Sequence, residues 1–238
     1  MIKAPLDKIL FLDIETVPQV YNYDDVDAKS KALFESKTRY QQSAEKSFES
    51  LYGDKGGILS EFGKIICISV GMVKENAMNK SIRLKSYYHD DEETLLKQFK
   101  KLLDDNQRLQ ILCGHNAKEF DFPYICRRML INGMELPKTL DISGKKPWEI
   151  NHIDTMELWK FGDYKAYTSL ALLCHVFKIP TPKDDITGAD VARVYYEEQD
   201  LDRIKIYCEK DVVALIQLYL RIHGDALVEE SNISSAET

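Results

Sequence analysis

The sequence predicts an α/β fold in which one mixed sheet of five strands is flanked by helices. Three consecutive segments, at residues 8–14, 64–73 and 81–88, have the character of strands that can pair antiparallel. Two shorter strands, at 109–114 and 150–153, alternate with helical segments, which is typical of parallel strands. We therefore expect three antiparallel strands followed by parallel ones in a single sheet.

The three long strands differ in how much of each is expected to be buried. Residues 8–14 are almost continuously apolar, which favours a central strand covered on both faces. Residues 64–73 are apolar and β-branched, and their short connection to residues 81–88 indicates a hairpin. In 81–88 polar and apolar residues alternate, which is the pattern of a half-exposed edge strand.

Helices are predicted where apolar residues recur every three or four positions. Asp90 or Asp91 can cap a helix that continues to about Leu103. The next helix begins near Phe122-Pro123, because proline suits a first turn, and stops at Asn132-Gly133. The remaining predicted helices cover residues 155–160, 168–177, 187–198 and 200–223.

The chain is predicted to form a single domain over residues 1–228. Within it, residues 21–57 indicate a polar helical insertion that ends in a flexible, glycine-rich loop. The sequence leaves open whether this insertion covers a functional site or is simply solvated. Residues 229–238 are polar and are predicted to form a disordered tail.

Composition and charge argue against several classes of protein. The 238-residue chain has a net charge of -7, which is unfavourable for coating duplex DNA by neutralising its phosphates. No apolar run approaches the ~20 residues that span a bilayer, and the N-terminus lacks a signal-peptide pattern. We therefore expect a soluble, non-secreted, cytoplasmic protein with no membrane partner. The five cysteines form no C-x-x-C pair, so buried free thiols are expected rather than a zinc site.

Asp13 and Glu15 lie two residues apart at the end of the first predicted strand. Because alternate residues of a strand point to the same face, both carboxylates share one side of the sheet, with Cβ atoms about 6.5–7 Å apart. One cation can bridge carboxylates at this separation. The alternative for this pair alone is a strand end that reaches solvent.

A third acid, Asp211, occupies the apolar seam of the last predicted helix between Cys208 and Leu215. An aspartate in such a seam has to be neutralised, ion-paired or metal-bound. A structural pair with a lysine or arginine is the alternative. Tyr207 precedes Asp211 by four residues, so its hydroxyl lies on the same face of the helix.

Two further aspartates lie at the ends of short predicted strands. Asp121 follows a Gly-His-Asn stretch and precedes a helix, so capping is the simpler explanation when it is taken alone. Asp154 ends the last strand, and we interpret it as a structural acid or one that supports a site. Like charges are not gathered at low dielectric without cations to neutralise them. Four acids together therefore predict a divalent-metal site and chemistry on phosphates: Asp13, Glu15, Asp121 and Asp211.

These residues occur in three motifs that resemble a known family. The motifs read Asp13-Ile14-Glu15-Thr16, Asn116-Ala117-Lys118-Glu119-Phe120-Asp121 and Tyr207-Cys208-Glu209-Lys210-Asp211. In this order they resemble the DEDD 3′–5′ exonucleases of the ribonuclease H-like superfamily, and Tyr207 indicates the tyrosine (DEDDy) branch. The closer similarity is to predicted exonucleases related to the proofreading domain of family B DNA polymerases. The segment Lys183-Asp184-Asp185-Ile186-Thr187-Gly188 is also similar to theirs.

The resemblance implies a ribonuclease H-like fold and two-metal hydrolysis of phosphodiester bonds at single-stranded DNA or RNA 3′ ends. It implies two Mg²⁺ or Mn²⁺ ions as cofactors, held by the oxygen atoms of the four acids. Tyr207 would orient or deprotonate the attacking water, and its ordinary pKa near ~10 favours orientation. The resemblance assigns catalytic roles to Asp13, Glu15, Asp121, Tyr207 and Asp211, and contacts to the terminal nucleotide to Thr16 and Asn116. Phe120 can stack on a base or belong to the core.

Two other functions stay open at this stage. A catalytically weak domain that binds a nucleic-acid end or a protein partner usually lacks one or more of the acids, and all four are present. A phosphoesterase acting on nucleotides or small phosphates would use the same acids. The sequence does not distinguish DNA from RNA as the substrate.

Overall fold

The computed structural model describes residues 4–43, 46–75, 79–106, 108–163, 167–180 and 186–236. Within them the strands are β1 (Ile9–Pro18), β2 (Gly63–Glu75), β3 (Lys80–Tyr88), β4 (Ile111–Gly114), β5 (Ile153–Asp154) and β6 (Ile233–Ser235). The helices are α1 (Ala28–Thr38), α2 (Phe48–Lys55), α3 (Glu92–Asp105), α4 (Asp121–Ile131), α5 (Thr155–Lys160), α6 (Leu170–Val176), α7 (Val191–Arg193) and α8 (Leu201–Ile222). These six strands form one sheet in the order β5-β4-β1-β2-β3-β6.

The sheet is mixed, as the sequence predicts. β1 pairs antiparallel with β2, and β2 pairs antiparallel with β3. On the other side of β1, β4 and β5 continue the sheet as parallel strands. The prediction of antiparallel strands followed by parallel ones is therefore confirmed.

A sixth strand differs from the prediction. Residues 229–238 were expected to be disordered, whereas Ile233–Ser235 pair in parallel with β3 as β6. Three largely polar residues carry no strand pattern, and β3 offers an edge with unpaired backbone groups that they can occupy. The strand therefore forms because of its neighbour, and β3 is not an edge over these residues.

The two faces of β1 pack against different helices. Ile9 and Phe11 belong to a buried cluster with residues of α8, including Leu215. Leu10 and Leu12 belong to a second cluster with residues of α3 and α4. Since side chains alternate along a strand, the odd-numbered residues that follow Phe11 also lie on the α8 side of the sheet.

A buried ion pair joins α3 to α4. Arg128 donates through Nε to both carboxylate oxygens of Glu92, at 2.9 and 3.1 Å, and Nη2 lies 2.5 Å from Oε2. The N–H of Ile65 in β2 donates to the same carboxylate at 2.7 Å. Both charged side chains are almost fully buried, and each finds its hydrogen-bonding partners within the protein.

The insertion at residues 21–57 has a small core of its own, in which Phe34 and Tyr52 are buried. The Tyr52 hydroxyl donates to the carbonyl of Val20, and Tyr21 stacks on Tyr196. The loop predicted to be flexible, at residues 53–57, lies partly within α2, which ends at Lys55. Gly57 packs closely on β1, since a Cβ added to it would lie 3.2 Å from the carbonyl carbon of Val17. The insertion is therefore attached to the end of β1.

The helix predicted at 187–198 is shorter and irregular. Only Val191–Arg193 are α-helical, and a π-helical turn follows at Val194–Glu198. The segment Lys183-Asp184-Asp185, which contributes to the family resemblance, lies outside the described residues. In the described part of the chain, no helix has the length and apolar character needed to cross a bilayer.

Candidate metal centre

The first two acids project from the same face at the end of β1. Asp13 lies opposite Ser69 of β2 in the strand register, and Glu15 lies opposite Cys67. The register shifts between Glu15 and Thr16, which marks a β-bulge. The period-two prediction for Asp13 and Glu15 agrees with this arrangement, and both side chains lie on the side of the sheet that α8 covers.

Helix α8 brings a tyrosine, a thiol and an acid to these carboxylates. The thiol of Cys208 donates to Oδ2 of Asp13 at 3.7 Å. Potential ligand atoms of Asp13, Glu15 and Cys208 all lie within 4.8 Å of one another. Asp211 follows one turn later in α8, and its negative charge raises the pKa of both Asp13 and Glu15. From the sequence, Cys208 was predicted only to be a buried free thiol, as it is in the structure. Its position between Tyr207 and Asp211 could have indicated that it borders the site.

Asp121 belongs to α4, which packs on the other side of the sheet. It is the first residue of α4, and Phe120 occupies the cap position. The carboxylate of Asp121 is buried and accepts a hydrogen bond from the backbone of Ile14, the residue between Asp13 and Glu15. The negative charge of Asp121 also raises the pKa of Asp13. Asp121 and Asp211 therefore lie near enough for their charges to act on Asp13, whereas of the four predicted acids only Asp13 and Glu15 belong to the group of ligand atoms within 4.8 Å.

The electrostatics of this cluster are unfavourable when all its acids are ionised. Burial raises the pKa of Asp13 well above its usual range, and the charges of Asp121 and Asp211 raise it further. The pKa of Glu15 is raised in the same way, first by burial and then by the charges of Asp13 and Asp211. Burial raises the pKa of Asp121 to about 7. Such shifts are expected where carboxylates share a desolvated place without a neighbouring cation.

Tyr207 is hydrogen-bonded to Asp211, and its side chain is partly buried. Burial raises its pKa far above the ordinary tyrosine value, and the charges of Asp211 and Glu15 add to the shift. Both effects favour the protonated form of the phenol. This favours the predicted orienting role over proton abstraction.

The Gly-His-Asn loop leaves β4 beside these acids. Asn116 adopts a left-handed backbone conformation with φ of 60°, and its side-chain Oδ1 is buried without a hydrogen-bond partner. His115 bonds through Nδ1 to the Thr155 hydroxyl and through Nε2 to the carbonyl of Thr168. The loop is thus held by the segments that follow β5.

The other two predicted substrate contacts have partners within the protein. The hydroxyl of Thr16 is hydrogen-bonded to Tyr124. The ring of Phe120 lies 5.3 Å from that of Tyr124, centroid to centroid, and packs against the core. This contact agrees with the interpretation of Phe120 as a core residue rather than one that stacks on a base.

A family model matches residues 58–234, and it describes a predicted 3′–5′ exonuclease related to the exonuclease domain of PolB. The chain belongs to this family. The match includes Asn116, Asp121, Tyr207 and Asp211. It begins after the strand that carries Asp13 and Glu15, so the geometry described above is what connects those two acids to the family's segments.

Membership in this exonuclease family agrees with the fold. The family B DNA polymerase from the hyperthermophilic archaeon Pyrobaculum calidifontis resembles the chain with a TM-score of 0.58 and 13% sequence identity. The similarity covers 87% of this chain and 23% of the polymerase chain. At this identity the likeness shows the fold, a mixed α/β sheet consistent with the ribonuclease H-like fold of a polymerase exonuclease domain.

Proposed function

We propose that the protein is a metal-dependent 3′–5′ exonuclease that hydrolyses phosphodiester bonds at single-stranded DNA or RNA ends. The observation that carries the proposal is the buried pair Asp13 and Glu15 on β1, with Asp121 of α4 and Asp211 of α8 near enough for their charges to act on Asp13. Family membership supports the direction of hydrolysis. The net charge of -7 suits an enzyme that holds a few nucleotides better than one that coats a duplex.

The donors fit hard divalent cations such as Mg²⁺ or Mn²⁺. Carboxylate oxygens are the ligands these ions prefer, and the raised pKa values of the acids mean that the ionised cluster requires positive charge. We assign Asp13, Glu15 and Asp211 to one ion, and Asp13 with Asp121 to the second. When bound, paired ions would stabilise charge on the scissile phosphate and lower the pKa of a bound water.

The protein's own groups would position the reactants. Tyr207 keeps its proton, so its hydroxyl can hold the attacking water while Asp211 fixes the direction of the phenol. Asn116 is the strongest candidate for the terminal nucleotide, because a substrate hydroxyl can supply the donor that its buried Oδ1 lacks. Thr16 and Phe120 contribute less in this proposal, since both already contact Tyr124.

The test uses purified protein and single-stranded oligonucleotides labelled at the 5′ end. With Mn²⁺ or Mg²⁺, the proposal expects a ladder of shortened products that keep the label, and EDTA is expected to abolish it. Asp13→Asn is expected to lose activity, whereas Asp105→Asn, an exposed acid paired with Lys101, serves as the matched control. The absence of shortening under every metal condition, or release of the labelled 5′ nucleotide first, would contradict the proposal.

A further inference from the structure

Asp154 ends β5 directly beside the point where the Gly-His-Asn loop leaves β4. In the register of these two strands Asp154 pairs with Gly114. Asp154 is only 2% exposed, so its carboxylate needs partners within the protein. Three backbone N–H groups donate to it: Asn116 and Met156 to Oδ1, each at 2.9 Å, and Lys118 to Oδ2 at 3.0 Å.

Helix capping explains one of these three bonds. Met156 belongs to the first turn of α5, and Asp154, the residue immediately before this helix, is a favoured cap type. The other two bonds reach 38 residues back to Asn116 and 36 residues back to Lys118. They do not stabilise α5, and their effect is to hold the backbone of the loop that carries Asn116.

The loop requires support because of the conformation of Asn116. A positive φ is uncommon for any residue other than glycine, and a buried acceptor without a donor is also unfavourable. Such arrangements persist where the surroundings hold them in place, and they cluster at functional sites. The carboxylate of Asp154 holds the N–H of Asn116 itself and that of Lys118, two residues later.

We propose that Asp154 is the positioning residue for substrate recognition: it holds the loop backbone so that the Asn116 side chain meets the 3′-terminal nucleotide. The inference rests on the proposed function, which assigns that contact to Asn116. The carboxylate of Asp121 accepts from the backbone of Ile14, and Asp154 acts on it only through its charge. Loss of Asp154 is therefore expected to weaken recognition of the 3′ end while ion binding at the acids is retained.

Two substitutions separate loop support from helix capping. Asp154→Ser keeps a favoured cap for Met156, but a serine side chain is too short to hold the loop as well. Asp154→Asn keeps the size and places an amide NH₂ group against a backbone donor. Asp91→Asn is the matched control, since Asp91 is an exposed residue that caps a different helix, α3, through the N–H of Thr94 at 3.0 Å.

The measurements are kcat and KM for shortening of a labelled oligonucleotide, Mn²⁺ affinity by calorimetry, and thermal denaturation to confirm folding. In the Asp154 variants KM is expected to rise roughly 10- to 100-fold, with Mn²⁺ affinity held within about threefold. In the Asn116→Ala background, Asp154→Ser is expected to change kcat/KM by less than about threefold, because the side chain that it positions is gone. If Asp154→Ser does not fold, Asp154→Asn provides the measurement.

The outcomes distinguish this inference from the proposed function. If the wild type is active and neither Asp154 substitution changes KM, the inference alone is overturned. The same holds if the effects of Asp154→Ser and Asn116→Ala on kcat/KM simply add in the double variant. An equal loss of Mn²⁺ affinity also overturns it, since Asp154 would then act on the metal ligands. A wild type that shortens no oligonucleotide overturns the proposed function and this inference with it.

Discussion

The charge of Asp121 is expected to destabilise the protein when no metal is bound. Burial, with a further contribution from Asp154, raises the pKa of Asp121 from its ordinary value of 3.8 to about 7. The folded protein therefore keeps this proton at pH values where the unfolded chain has lost it. As the pH rises from about 4 to about 7 the free energy of unfolding falls, because the folded state binds more protons than the unfolded state. At about 1.36 kcal/mol per pKa unit, the difference amounts to about 4 kcal/mol.

Asp121→Asn removes this charge and keeps the size of the side chain. In EDTA at pH 8 the variant is expected to be more stable than the wild type by up to about 4 kcal/mol, and the difference should vanish near pH 4. Each kcal/mol corresponds to about 2–4 °C in Tm for a chain of this size. Urea denaturation followed by circular dichroism between pH 4 and pH 8 measures the effect. Asp105→Asn is the exposed control, for which a small difference is expected at every pH.

Two results would refute this reasoning about Asp121. One is an Asp121→Asn variant that is less stable than the wild type at pH 8 in EDTA. The other is a stability difference that does not change with pH. Added Mn²⁺ is expected to stabilise the wild type more than the variant, since only the wild type keeps the full set of ligands.

Three other predictions concern packing and catalysis. Glu92→Ala is expected to lower the free energy of unfolding by about 3–5 kcal/mol, because it leaves Arg128 buried without its carboxylate; a loss below ~1 kcal/mol in chemical denaturation would contradict this. Gly71→Ala is expected to cost about 1–3 kcal/mol, since a Cβ would lie 2.7 Å from Cδ1 of Ile216, and an unchanged Tm would argue against that packing. Tyr207→Phe is expected to lower kcat roughly 10- to 100-fold without shifting the pH optimum, because burial raises the pKa of this tyrosine far above neutral; a shifted optimum would indicate a titrating base.

The parts of the fold that depend on local patterns were predictable. The apolar run of β1 indicates a strand covered on both faces, and period-two alternation places Asp13 and Glu15 on one side of it. Periodicity likewise predicts α8, whose bounds at Leu201–Ile222 differ from the predicted 200–223 by one residue at each end. These features need only neighbouring residues for their explanation.

The parts that depend on distant residues were not predictable from one sequence. β6 forms on the edge of β3, more than 140 residues earlier in the chain, and its own three residues give no signal. The bonds from Asn116 and Lys118 to Asp154 likewise depend on where β5 pairs with β4. The sequence could therefore indicate which residue types carry chemistry, whereas tertiary pairing decides which of them support the others.

Anomalous diffraction from crystals soaked in Mn²⁺ tests the central claim most directly. The account predicts two anomalous peaks about 3.5–4 Å apart, bounded by the carboxylates of Asp13, Glu15, Asp121 and Asp211. Absence of ions from this cluster, at a Mn²⁺ concentration that supports cleavage of an oligonucleotide, would contradict it.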